Sequence, residues 1–239
     1  MDLKDIKEIE IYDRVEFLSE LEKQLVIDPD RSAVVTVEMT QRRLNENTPL
    51  ENGEKSVDSL ISQTNSLLNM ARLKDIPVIH IMSALRGVEV AFQEKSKWRQ
   101  AMKKTGKSIS PYGEIPDEFV DVQDGTVEPD FVVDVADTDY IIKTKKTFSC
   151  FYQTDLEWML KTLKKDYIIL AGLSSNADIL STAYDASNKY LGVITVKECV
   201  DSIYGSDLNA MALQQLGRCQ GFVVDLETFE EKLFGKVTV

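Results

Sequence analysis

The stretch DYIILAG, Asp166 to Gly172, decides the fold. Its apolar run shows almost no polar alternation, which suits a strand buried on both faces of a helix-covered sheet. Working outward, a helical pattern follows from Ala177 to Lys189, then a strand at Val193 to Lys197 and a helix at Asp207 to Leu216. A last strand and helix complete the chain. Upstream, Thr154 to Leu163 reads as a helix, with Thr154 and Glu157 spaced as a capping box, and YIIKT (140–144) reads as a strand. PVIHIM (77–82) and AVVTVEM (33–39) are further strands, rich in the β-branched residues that fit a pleated, buried surface. Between them Val57, Leu60, Ile61, Leu67, Leu68 and Ala71 recur at three- and four-residue spacings, one apolar stripe on a helix. Strands alternating with helices predict an α/β protein, three layers deep (α/β/α), with a mainly parallel, doubly wound sheet. In such sheets ligands bind beyond the carboxyl ends of the strands.

Two segments stand outside this rhythm. Residues 1–32 form an N-terminal extension with an amphipathic stretch, Val15 to Leu25, expected to pack on the domain or on another subunit. Residues 33–239 then form one domain, interrupted at 84–136 by a long, poorly patterned insertion of the kind that serves as a lid.

The composition narrows the function. Among 239 residues, 28 Lys and Arg face 40 Asp and Glu, a net charge of −12 that argues against binding the nucleic-acid backbone. Met1 to Glu10 is charged throughout and offers no signal-peptide segment, and apolar runs such as Ile168 to Leu173 are too short to cross a bilayer. Three widely spaced cysteines suggest neither a disulfide framework nor a CxxC zinc site. The expectation is a cytoplasmic protein acting on a small molecule, without nucleic-acid or membrane partners.

Three ionisable residues fall at or just beyond strand ends: Glu38, Lys145 and Asp178. Structural roles are open to each. Glu38 could pair with a nearby cation, and Lys145 lies in a run with Lys143 and Lys146. Ser175 and Asp178 are spaced as a capping box, where an acid is favoured by the helix N-terminus. Ala171-Gly-Leu-Ser-Ser175 lacks the three glycines of a dinucleotide-binding turn. The single histidine, His80, lies inside a strand and reads as a packing residue.

Three segments carry a resemblance to the isochorismatase-like, or cysteine hydrolase, superfamily. PDRSAVVTVEMT (29–40) is similar to that family's opening strand, which ends in Asp-x-Gln. KKTFSCFYQTDL (145–156) matches its Lys-x-x-[Phe/Tyr]-Ser-x-Phe-x-x-Thr-x-Leu stretch. AGLSSNADILSTAYDA (171–186) matches its Gly-x-x-Thr-x-x-Cys-Val-x-x-Thr-Ala-x-x-Ala block. The resemblance implies a Rossmann-like fold, a hydrolase and a homodimer or homotetramer. It aligns Glu38, Lys145 and Asp178 with the family's Asp, Lys and nucleophilic Cys, and Thr40 with its Gln. The nucleophilic thiol is therefore absent at that position. Nicotinamidase-type relatives add an Asp-x-His-x-His metal site, which one histidine cannot build, so neither metal nor cofactor is expected. Cys150 matches a variable position and has no second histidine to activate it; Cys199 and Cys219 sit at strand boundaries and read as structural.

An acid–lysine–acid site suggests acid/base catalysis, and the resemblance implies hydrolysis of an amide-type C–N bond or a vinyl ether, the latter protonated by the strand-end acid in the family's isochorismatase branch. Asp178, at a helix start and near Lys145, is expected to be the ionised base or a carboxylate nucleophile, and Glu38 the general acid. Ser174, Ser175, Ala177, Trp98 and Arg99 are the candidate substrate-binding residues. Lys95, Lys97, Arg99, Lys103, Lys104 and Lys107 concentrate positive charge in the insertion, either as a solvated face or to steer a carboxylate-bearing substrate. The alternative is a catalytically inactive member kept as a binding or assembly module.

Overall fold

The computed structural model describes residues 13–115 and 130–235. Residues 1–12 of the extension, 116–129 of the insertion and the last four residues fall outside them. Six parallel strands form one sheet: β1 (Ser32–Val37), β2 (Val78–Ser83), β3 (Tyr140–Lys145), β4 (Tyr167–Leu173), β5 (Gly192–Asp201) and β6 (Phe222–Val224). Their order across the sheet is β3-β2-β1-β4-β5-β6. The chain thus winds outward from β1 through β2 to β3, then returns to β4 and winds the other way. The reversal lies between β1 and β4, and it opens a crevice at their carboxyl ends.

Helices cover both faces. The stripe read from 57 to 71 belongs to α2 (Glu54–Arg72), whose Leu60, Leu67, Leu68 and Ala71 pack with Val34, Ile169 and Ile194 of the sheet. Phe229 and Leu233 of α8 (Leu226–Phe234) join the same core. On the opposite face, Leu156 and Leu160 of α5 (Leu156–Thr162), with Ala183 and Ala186 of α6 (Leu180–Asn188), cover Val35, Val37, Ile79, Ile168 and Leu170. Successive strand residues therefore alternate between two apolar cores, as the unbroken Ile168–Leu173 run requires. The amphipathic N-terminal stretch is α1 (Val15–Lys23), packed beside β6. Leu25 and Ile27, just after it, are buried in the α2-side core.

Several local expectations are corrected. The Thr154–Glu157 capping box does not form: α5 starts two residues later, with Thr154 donating to the Cys150 carbonyl and Glu157 paired with Lys161 and Lys189. Two nearby cations outcompete one backbone N–H for the carboxylate. The helix expected from Ala177 begins instead as a wide π-helical turn, Ser175–Ile179, leading into α6. The insertion is not patternless: it contains α3 (Gly87–Gln93) and α4 (Lys97–Thr105), while α7 (Ser206–Gln215) follows β5 as expected. The insertion returns through an antiparallel bridge between Phe131 and Thr40, and Val132 N–H donates to the Met39 carbonyl at 3.0 Å. No helix among the described residues is long and apolar enough to cross a membrane.

His80 is a satisfied core residue. One ring nitrogen meets Thr36 Oγ1 at 2.7 Å and the other meets Asp139 Oδ2 at 3.1 Å, which Arg72 also binds at 2.5 Å. Burial holds its pKa below the ordinary histidine value against the pull of Asp139.

The β1–β4 junction depends on Gly172, which has φ +115° and faces the β1 backbone so closely that a Cβ would lie 2.0 Å from the Val37 carbonyl oxygen. Gly172→Ala should therefore lower stability by at least ~2 kcal/mol, from strain and overpacking together. A urea denaturation midpoint unchanged from wild type would contradict this role.

Candidate active site

Four strand ends build the site. Just past β1, Glu38 turns the backbone into the left-handed region (φ +56°), a costly conformation for a residue with a side chain and one that tends to collect at functional sites. β2 ends at Ser83, β3 at Lys145, and beyond β4 the π-helical turn presents Asp178. The Lys145 ammonium lies 2.9 Å from Glu38 Oε1 and 2.5 Å from Asp178 Oδ1. It also donates to Ser83 Oγ at 3.3 Å, while Ser83 donates a short hydrogen bond to Glu38 Oε1. Arg43 Nε stands 3.6 Å from Glu38 Oε2. Glu38 and Lys145 are only 1% and 2% exposed, and Asp178 8%. The three residues singled out from the sequence thus form one buried charge cluster.

Their surroundings push the two carboxyls in opposite directions. For Glu38, burial pushes the pKa up, but Lys145, Arg43 and the Ser83 hydrogen bond outweigh it and hold the carboxyl at about 2. For Asp178, burial and the Glu38 charge prevail over Lys145, and its pKa is raised. Lys145 is desolvated too, yet two carboxylates keep it firmly protonated. The two carboxyls are thus pushed apart, Glu38 towards the ionised form and Asp178 towards a higher pKa. The helix start and Lys145 favour an ionised Asp178, but burial and the charge of Glu38 outweigh them and raise its pKa. Nor does Asp178 form the expected capping box. One oxygen faces Lys145, the other accepts from Ser174 N–H at 3.4 Å, and the buried Ser175 hydroxyl has no hydrogen-bond partner.

Asp178, Lys145 and Ser83 line a cavity of about 310 Å³, with Arg43, Arg99 and Lys146 around it. A larger cavity of about 680 Å³ lies beside it, lined by Trp98, Ala177, Asn176 and Tyr204; Arg99 and Phe148 border both. Of the expected substrate-binding residues, Arg99 reaches both cavities, and Trp98 and Ala177 the larger one. Ser174 and Ser175 reach neither: at 4% and 0% exposure they are buried in the turn that carries Asp178. Of the basic cluster, Lys103 lines the larger cavity paired with Glu94 at 2.7 Å, alongside Lys107. Ser83, Arg43 and Phe148 were not singled out from the sequence. A serine at a strand end and an arginine five residues past an acid carry no spacing signal. Cys150 is fully buried, and burial pushes its thiol up to about 12, so it is no substitute nucleophile.

Lys145 is the keystone of the cluster. Lys145→Met leaves two buried carboxylates without their cation and should cost ~3–5 kcal/mol at pH 8. The orphaned acids would then bind protons more tightly folded than unfolded, so the deficit should shrink as pH falls towards 5. Wild type behaves oppositely at Glu38: its depressed pKa contributes stability above about 4.5 that is lost as pH falls towards about 2. The raised pKa of Asp178 opposes this, its contribution being fullest in acid and fading as pH rises. Denaturation of both proteins across pH checks this; a Lys145→Met deficit that does not change with pH would contradict it.

Comparison with known proteins places this geometry. Residues 32–228 match the family model of the isochorismatase domain. An uncharacterised isochorismatase family protein of Bacillus subtilis, YaaI, is 34% identical over 80 residues, 34% of this chain and 43% of that protein's length. Among solved structures, a cysteine hydrolase from Pseudomonas syringae pv. phaseolicola superposes with a TM-score of 0.66 at 21% identity, covering 88% of this chain and 95% of that one. An isochorismatase family protein from Burkholderia thailandensis gives 0.63 at 19% identity, covering 87% and 97%. With its doubly wound sheet and strand-end cluster inside the matched region, this chain belongs to the isochorismatase family.

Proposed function

We propose that the protein is a hydrolase of a small, carboxylate-bearing molecule, cleaving an amide-type C–N bond or a vinyl ether without a cysteine nucleophile. The observation that carries this reading is the Lys145 ammonium shared by two unlike carboxylates, one sealed behind the cavity and one facing it. Paired acids whose surroundings push their pKa values apart suit acid/base work. Asp178, at the position the family resemblance gives to cysteine, delivers a proton to the leaving nitrogen or to the enol ether. Once ionised, it takes a proton back from the attacking water. Lys145 faces the negative charge that develops on the substrate, and Glu38 keeps that cation in place. Arg99 and Arg43 supply positive charge for a substrate carboxylate, and α3 and α4 form the lid. The subunits are expected to associate as dimers or tetramers.

A second reading has one observation in its favour. The close ion pair with Lys145, together with the Ser174 N–H, already engages both Asp178 oxygens, an arrangement that also suits a binding module.

A panel of small amides, ureides and enol ethers bearing carboxylates separates the two. Wild type should turn over at least one class, and Asp178→Asn should lower kcat about 10²–10⁴-fold. Binding without turnover by wild type would favour the module. Asp178→Cys tests whether the remainder of the site can support a thiol amidase. Arg99→Ala should raise KM about tenfold, the loss of ~1.4 kcal/mol of binding, with little change in kcat; an unchanged KM would remove Arg99 from substrate recognition.

A further inference from the structure

We propose that Ser83 is the nucleophile of this site, its hydroxyl attacking an acyl carbon in the cavity while Glu38 takes the hydroxyl proton. The assignment rests on the hydrolase reading and narrows it to acyl substrates such as amides and ureides. Protonating a vinyl ether needs no nucleophile.

The geometry is that of an activated hydroxyl. Ser83 lines the cavity beside Asp178, and its Oγ donates a short hydrogen bond to Glu38 Oε1. Glu38 is in turn oriented by Lys145 at 2.9 Å and by Arg43 at 3.6 Å. Nucleophile, base and a group that orients the base are the three parts such catalysis requires. The sheet is shaped to bring them together. β2 pairs with β3 in register until a shift between Ile81 and Ser83 sets Ser83 opposite Lys145. Bulges of this kind re-aim side chains at strand ends. Two alternatives near the cavity are otherwise placed: Ser96 Oγ caps α4 by accepting from Arg99 N–H, and Cys150 is sealed in the core.

The electrostatics run in the direction these roles need: Lys145, Arg43 and Ser83 hold the Glu38 carboxyl low, and burial with the Glu38 charge raises the pKa of Asp178. In the first half-reaction the Oγ–C bond forms as the Ser83 proton passes to Glu38, leaving an oxyanion beside Lys145. Collapse of that intermediate breaks the C–N bond, and the amine departs with the proton of Asp178. The products of this half are a Ser83 ester, protonated Glu38 and ionised Asp178. Water then adds to the ester carbon, its proton passing to Asp178. The second intermediate expels Ser83 Oγ, which recovers its proton from Glu38. One water is consumed, one acid and one amine are released, and all three side chains return to their starting states.

A fluorophosphonate and p-nitrophenyl acetate test this on the whole chain. Wild type should gain one phosphonyl group on the peptide containing Ser83, with release of fluoride, and should give a burst of one equivalent of p-nitrophenolate. Ser83→Ala should do neither. Glu38→Gln should slow labelling about 10²–10⁴-fold. Ser83→Cys should still be acylated, which shows that the site survives substitution there. An adduct on another residue, or a Ser83→Ala protein that hydrolyses amides at the wild-type rate, would overturn the assignment. If Ser83→Ala retains hydrolysis that Asp178→Asn loses, the hydrolase reading stands and the nucleophile falls. If wild type neither labels nor turns over any member of the panel, both fall.

Discussion

A single buried ammonium holds this molecule's crevice together. Lys145 reaches from the edge strand β3, past Ser83 on β2, to Glu38 beyond β1 and Asp178 beyond β4. Neither an isolated cation nor an isolated carboxylate could stay charged at that depth; each is tolerable only because the others are in place. The constraint propagates outward. β1 and β4 must lie as close as Gly172 permits, Glu38 must accept a left-handed backbone, and β2 must shift register before Ser83. A core of Val, Ile and Leu on both faces makes the sheet rigid enough to impose that geometry.

The two carboxylates differ because their neighbours differ. Glu38 is flanked by Lys145 and Arg43 and hydrogen-bonded by Ser83, whereas for Asp178 burial and the charge of Glu38 outweigh Lys145 and the weaker pull of Arg43. The pKa values of chemically similar side chains are thus pushed in opposite directions within one cluster. The same separation appears in access: Asp178 borders the cavity, and Glu38 lies behind Ser83 and Lys145.

Much of the fold was legible because burial leaves a periodic trace. The unbroken 168–173 run reads as a strand covered on both faces, and the 57–71 stripe reads as a helix with one core face. What misled was local pairing. Thr154 with Glu157, and Ser175 with Asp178, have the spacing of helix caps. In the folded chain Glu157 meets Lys161 and Lys189, and Asp178 meets Lys145, 33 positions away. A capping motif describes only the backbone groups a carboxylate can reach nearby in sequence, whereas cations supplied by the folded chain compete for the same oxygens.

By itself the sequence determined the parallel α/β scheme and, through three motif segments, the trio Glu38, Lys145 and Asp178. Strand-end positions and motif spacing are properties of one stretch of chain at a time, so they survive without coordinates. Only the tertiary structure decided in which direction each acid's pKa moves, that Ser174 and Ser175 are buried in a turn, and that Ser83 and Arg43 adjoin the cluster. Those facts depend on distances between segments remote in the chain and on how much water each group loses, and both arise only when the sheet closes around Lys145.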